Sequence, residues 1–253
     1  MLSQQVGNTQ PTENTCLQGI STAVVGQCLL ATWLGRIPYR NAHATQLSLV
    51  EKRAAGSAPD MLLLLEHPPT ITCGRGTDAS EVRRLLADER ACTAEIAECE
   101  RGGKLTFHGP GQLVAYPIVH LDAVGRDLHR WLWVLEEAAV RAIADLGLCA
   151  GRSARGRGVW VKGLKVASIG VAVRHWVSYH GIAVNVSGRW PRSVPISWCG
   201  LEPEAYGSLA DCGLQVELSH LGRVLASRLA ELCGLDLQWA EEGWPSARRG
   251  VQA

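Results

Sequence analysis

The chain of 253 residues has almost no net charge: 25 Lys and Arg stand against 24 Asp and Glu, a formal balance of +1 at pH 7. Without a basic excess there is no compositional footing for nucleic-acid binding, which rests on phosphate neutralisation. No run of about 20 apolar residues occurs, so a membrane-spanning helix is not expected. The nine cysteines (Cys16, Cys28, Cys73, Cys92, Cys99, Cys149, Cys199, Cys212 and Cys233) include no CxxC pair and are odd in number. That argues against a zinc ribbon or a disulfide framework and for a reducing compartment. The opening "MLSQQVGNTQPTENTCLQG" lacks the apolar core of a signal peptide and the Arg-rich pattern of a transit peptide. The expectation is a cytoplasmic protein with a flexible arm over residues 1–23. No internal repeat or low-complexity linker interrupts residues 24–235, which read as one domain, with 236–253 as a charged, glycine-containing tail. No metal-ligand set and no cofactor motif stands out.

What is present alternates between strand and helix patterns. "QCLLATWLG" and "DMLLLL" read as strands, the second buried on both faces because it is apolar throughout. "PYRNAHATQLSLVEKRAAG" reads as a helix stopped by Gly56, and "SEVRRLLAD" as a short helix with Ser80 as N-cap. "RDLHRWLWVLEEAAVRAIADLGL" is the longest helical pattern, closed by Gly147, and "SHLGRVLASRLAELCG" is a later one. Between them "GVWVKG", "KVASIGVAVR" and "SYHGIAVNV" suggest strands joined by hairpins around Lys162-Gly163 and Arg174-His175. Strands that outnumber helices in the middle of the chain point to an α+β fold rather than a regular βαβ alternation. The basic stretch "GRSARGRG" reads as a solvated loop or as a contact for an acidic protein.

Three places draw chemical attention. The segment "RGGKLTFHGPGQLVAYP" places four glycines and a histidine before a buried strand; a rigid loop held close to a ligand and a plain decorated turn both fit. Cys199, in "SVPISWCGLEP", lies in a loop setting that presents a thiol, whereas the other cysteines lie mostly in apolar runs or at loop ends. A thiol acts as its thiolate and needs a cation, a dipole or a base beside it. Lys165, in "KGLKVASIG", enters an apolar strand, where loss of water would favour the neutral amine and let it accept a proton; a lysine snorkelling to solvent is the alternative.

Taken in order, "EHPPTITCGRG", "RGGKLTFHGPGQ", "KVASIG", "HGIAVNV", "CGL" and "GSLAD" resemble the lipoyl(octanoyl) transferases, the octanoyltransferases of lipoate biosynthesis, over roughly residues 25–235. The resemblance implies the fold of biotin and lipoate protein ligases: a mixed, mostly antiparallel sheet flanked by helices. It implies transfer of an octanoyl group from octanoyl-acyl carrier protein to a lysine of a lipoyl domain, through a thioester on the enzyme. The acceptors would be lipoyl domains of 2-oxoacid dehydrogenases and the glycine cleavage H protein. On this sequence the nucleophile would be Cys199, with Lys165 lowering its pKa and moving protons. The acyl-binding segments would be Arg101, Gly102, Gly103, Lys104, Leu105, Thr106, Phe107 and His108; Ser168, Ile169 and Gly170; and Gly181, Ile182 and Ala183. His180, Asn185, Gly109 and Gln112 would brace the site, and Leu113, Val114 and Val171 would wall an acyl tunnel. Trp198 stands where the family usually has proline, and Gly207 where threonine is typical. Two other readings remain: an ATP-dependent lipoate ligase on the same fold, and a non-catalytic paralogue that binds lipoyl domains.

Overall fold

The computed structural model describes residues 28–87, 94–187 and 202–240. In chain order these form β1 (Cys28–Arg36), α1 (Tyr39–Ala54), β2 (Asp60–Glu66), β3 (Thr70–Cys73), α2 (Ala79–Leu86), β4 (Glu95–Glu98), β5 (Leu105–His108), β6 (Gln112–Ile118), α3 (Leu128–Asp145), β7 (Ala150–Ser153), β8 (Gly156–Val161), β9 (Leu164–Arg174), β10 (Val177–Asn185), α4 (Leu218–Cys233) and β11 (Asp236–Trp239). Eight strands make one sheet in the order β11-β1-β2-β6-β10-β9-β8-β7, and β4-β3-β5 make a smaller one. In the large sheet five of seven pairings are antiparallel, the parallel ones being β11 with β1 and β1 with β2. This is the mixed, mostly antiparallel α+β architecture that the sequence leads one to expect.

The large sheet is covered on both faces, which is why its central strands read as continuous apolar runs. Leu62, Leu64, Leu113, Ala115, Ile182 and Val184 face the core shared with α3 and α4. Their neighbours Met61, Leu63, Leu65, Val114, Tyr116 and Ala183 face the core under α1, as the two-residue period of a strand requires. The small sheet and α2 enclose a third cluster around Ile71, Leu85 and Leu105.

Local signals place the ends of these elements. Asp127 caps α3 by accepting from the amides of His129 and Arg130 at 2.8 and 3.1 Å. At α2 the cap is Asp78 rather than Ser80: its carboxylate accepts from the Ser80 amide at 2.6 Å, while Glu81 reaches back to the Asp78 amide at 3.2 Å, a capping box. The hairpin turns fall at Lys162-Gly163 and His175-Trp176, each pair with positive φ. Two sequence readings are corrected. "GRSARGRG" is not a solvated loop but supplies most of the β7–β8 hairpin, tied down by buried Glu136, which accepts from the Gly158 amide at 2.9 Å and pairs with Arg152 at 3.2 Å. Asp236–Trp239, read as the start of a tail, pairs in parallel with β1 and forms one edge of the sheet.

Candidate active site

Between the small sheet and the large one lies a cavity of about 410 Å³, a size suited to a small organic ligand. One wall comes from Thr72, Arg101, Thr106 and His108, the other from Val114 and Tyr116 of β6, residues 168–171 of β9 and residues 180–183 of β10. The first wall is a hydrogen-bonded lattice. Arg101, 7% exposed, donates from Nη2 to the Thr72 carbonyl at 2.9 Å and its hydroxyl at 2.7 Å, and from Nη1 to the Gly102 carbonyl at 3.1 Å. Gln112 donates to Asn185 at 2.9 Å and to the Phe107 carbonyl at 3.3 Å, so its oxygen accepts from His108 Nδ1 at 2.7 Å. His108 Nε2 is thereby left facing the Thr72 hydroxyl at 3.3 Å. Burial, helped by the charges of His67 and Arg101, holds His108 well below the usual histidine pKa. Beneath it, His67 donates from Nδ1 to the Ile37 carbonyl at 2.6 Å, leaving Nε2 to accept from the Tyr116 hydroxyl at 2.8 Å. Burial lowers its pKa to about 4.

His180 owes its position to a proline. The β6–β10 ladder runs from Asn185–Gln112 to Ile182–Ala115 and goes no further; in continued register His180 would meet Pro117, which has no amide to donate. His180 instead takes a left-handed φ of 56°, and its amide donates to Gln46 of α1 at 2.7 Å. Such backbone in a non-glycine residue is strained and persists where surrounding contacts enforce it. Burial also brings the His180 imidazole down to about 4. Gly181 completes the bend, since a Cβ there would stand 2.3 Å from the Ala115 carbonyl oxygen.

Lys165 reaches the same cavity from β9 and is only 5% exposed. Its stem passes over Gly158, where a Cβ would lie 2.7 Å from Lys165 Cε and 2.3 Å from the Ala167 carbonyl oxygen; the glycine is what leaves the lysine room. Its ammonium lies 5.7 Å from the centre of the Tyr206 ring. Gly207 is held beside it: its amide donates to the Lys165 carbonyl at 3.3 Å, and Asn185 donates to the Gly207 carbonyl at 3.0 Å.

With this geometry in hand, the comparisons with known proteins are specific. Residues 38–195 match the lipoyl protein ligase A/B catalytic domain. An octanoyltransferase of Geobacter metallireducens is 41% identical, covering 84% of this chain and 97% of the relative. One of Rubrobacter xylanophilus is 42% identical, covering 79% and 91%. The chain belongs to the octanoyltransferase family. Solved structures agree on the fold: a lipoate-protein ligase A bound with ATP superposes with a TM-score of 0.61 at 16% identity, covering 85% of this chain and 90% of that one. A bipartite lipoate protein ligase of Thermoplasma acidophilum gives 0.59 at 16% identity, covering 85% and 88%.

Of the acyl-binding residues that the octanoyltransferase resemblance implies, Arg101, Gly102, Gly103, Thr106, His108, Ser168, Ile169, Gly170, Gly181, Ile182 and Ala183 line the cavity, together with Lys165 and His180. Lys104, Leu105 and Phe107 do not. In β5 alternate residues face opposite ways, so Thr106 and His108 look into the cavity while Leu105 and Phe107 pack into the small sheet's own core; Lys104 turns to Glu81 of α2 at 3.2 Å. By the same alternation Val114 lines the cavity, as does Val171, but Leu113 belongs to the opposite core. Asn185 and Gln112 stand behind the wall as links of the hydrogen-bond chain, and Gly109 sits against the Phe107 ring, 2.7 Å from where a Cβ would be. Gly207 packs under Leu164, whose Cδ1 a Cβ would meet at 2.7 Å. Cys199 and Trp198 lie outside the described residues. Sequence reasoning missed Tyr39, Thr72, Tyr116 and Arg157 in the lining and His67 beneath it. His67 had a signal, standing in "EHPPTITCGRG", one of the stretches that carry the resemblance.

Proposed function

We propose that this octanoyltransferase moves an octanoyl group from octanoyl-acyl carrier protein to a lysine of lipoyl domains, through a thioester on Cys199. The observation that carries the reading is the convergence on one cavity of a buried lysine, a bare-backbone glycine segment and an apolar strand face, in a chain of this family. The apolar residues Val114, Ile169, Val171, Ile182 and Ala183 offer the acyl chain a wall. Tyr206, seven residues after Cys199 in the sequence, lies against Lys165, which supports a short path between thiol and amine.

In this mechanism Lys165, as the neutral amine, takes the Cys199 proton, and the thiolate adds to the carbonyl carbon of the donor thioester. The oxyanion is held by backbone amides of the glycine segments. It collapses by breaking the bond to the carrier sulfur, which leaves as a thiol with the proton from Lys165. The acceptor lysine, as its free amine, then attacks the acyl-cysteine, loses its proton to Lys165, and expels Cys199, which recovers that proton. One thioester is exchanged for another and then for an amide, so the sequence runs downhill without ATP. The reducing compartment expected from unpaired cysteines suits a free nucleophilic thiol.

Intact-protein mass spectrometry after incubation with octanoyl-acyl carrier protein tests this. Wild type should gain one octanoyl group, released by hydroxylamine and passed to an added lipoyl domain; Cys199→Ala should gain none. Transfer that appears only with free acid and ATP would instead mark a ligase, and an unmodified wild type would overturn the proposal.

A further inference from the structure

Three side chains from distant parts of the sequence meet at the α1 edge of the cavity: His43 of α1, Glu100 just beyond β4, and His180 of β10. Glu100 Oε2 lies 2.9 Å from His43 Nε2 and 3.5 Å from His180 Nε2, and the three donor atoms all fall within 4.8 Å of one another. We propose that they bind one divalent transition ion of the zinc class, at the edge of the cavity that His180 also lines.

The donor set is two imidazoles and one carboxylate, the kind of trio that holds zinc with a fourth position open to water. Bonds of about 2.0–2.1 Å to a tetrahedral ion put neighbouring ligand atoms roughly 3.4 Å apart, so small side-chain rotations close the set. Mg²⁺ and Ca²⁺ prefer all-oxygen surroundings and are disfavoured by the two ring nitrogens.

A second observation points to a ligand. His180 is 2% exposed, and its buried Nε2 faces the Glu100 carboxylate at 3.5 Å without the geometry of a hydrogen bond. Such an atom is rare in a folded protein and calls for something to occupy its lone pair or its proton. The nitrogen is also aimed rather than loose: the strained φ of 56° and the amide bond to Gln46 hold the residue in place. Tyr179 lies against the His180 ring with centroids 4.9 Å apart, and Tyr39 stacks on His43 at 5.7 Å with planes 9° apart. These ring contacts restrict both imidazoles. An entry path exists, because the side chains of His43 and Glu100 are 20% and 38% exposed.

The test uses the full chain, stripped of metal and without any acyl donor, so that its outcome does not depend on the transfer reaction. Titration with Co²⁺ should give one equivalent of visible d–d absorption typical of nitrogen and oxygen ligands, with no thiolate charge-transfer band. Equimolar Zn²⁺ should abolish it, and a large excess of Mg²⁺ should not. His43→Gln and Glu100→Gln, both at solvent-reachable side chains, should each weaken binding at least about tenfold, with unchanged far-UV circular dichroism. In wild type the melting temperature should rise with added Zn²⁺, since the ion ties α1 to β10 in the native state only. No binding by the wild type would reduce the cluster to two ion pairs and overturn the proposal. So would affinity unchanged in both variants, or a thiolate band that places the ion on a cysteine such as exposed Cys149.

Discussion

The two walls of the cavity are built on opposite terms. The wall next to the small sheet is polar and fully interlocked: Arg101, Thr72, His108, Gln112 and Asn185 form one hydrogen-bond chain that reaches Gly207. The wall on the large sheet is mostly apolar, with Ser168 and His180 among Val114, Ile169, Val171, Ile182 and Ala183, and draws its shape from strands packed between two helical layers. A polar lattice fails as a unit when one member is lost, because the partners stay buried and unpaired. An apolar wall yields by increments, since neighbours partly fill a vacated space. The cavity therefore has one rigid side and one tunable side.

The contrast can be broken where the two sides meet. In Gly158→Ala the new methyl would stand 2.3 Å from a backbone oxygen and 2.7 Å from Lys165, at a φ of 132°. The expected cost is more than about 4 kcal/mol, read as a lowered urea midpoint, together with loss of acyl-adduct formation. On the polar side, Arg101→Met should cost about 3 kcal/mol, because the Thr72 carbonyl and hydroxyl lose their donor. Its adduct formation should fall further than that of any single apolar-wall truncation; a drop no larger than theirs would erase the distinction between the walls.

Acid should act on the buried histidines, which belong to both sides. His67 and His180 are held neutral, with pKa values lowered from 6.5 to about 4. The unfolded chain therefore binds more protons between these values, so their stabilising effect is complete above pH 6.5 and fades as pH falls toward 4. Between pH 7 and 5.5 the loss should be roughly 1 kcal/mol for each of the two, measurable by urea denaturation, and His67→Gln should remove about half of it. The smallest effect belongs to the apolar side. Ile182→Val should cost about 1 kcal/mol and shift the preferred acyl chain toward greater length without abolishing transfer.

How much of this was legible before folding depended on the range of the interactions. Strand β2 announced itself because a strand buried on both faces is apolar at every position, and the hairpin at Lys162-Gly163 because the turn needs positive φ. Lys165 and the Arg101–Gly103 segment stood out by chemistry that their surroundings did not explain. By contrast, "GRSARGRG" looked like a solvated loop because nothing nearby shows that Glu136, held in α3, waits to pair with it. His67 and Tyr116, 49 residues apart, form a hydrogen bond that no local pattern encodes. β11 was missed because an edge strand of four residues has too few apolar positions to declare a period.

The sequence by itself determined the α+β class, the core strands, the principal helices and the chemical types available, because these depend on periodicity and on side-chain identity. Only the tertiary structure decided which faces of β5 and β6 look into the cavity, that Gly158 makes the seat for Lys165, and that His43, Glu100 and His180 converge. The physical reason is that register and burial are set by contacts between segments far apart in the chain. A shift of one residue in a strand turns every side chain to the other face without changing a letter of the sequence.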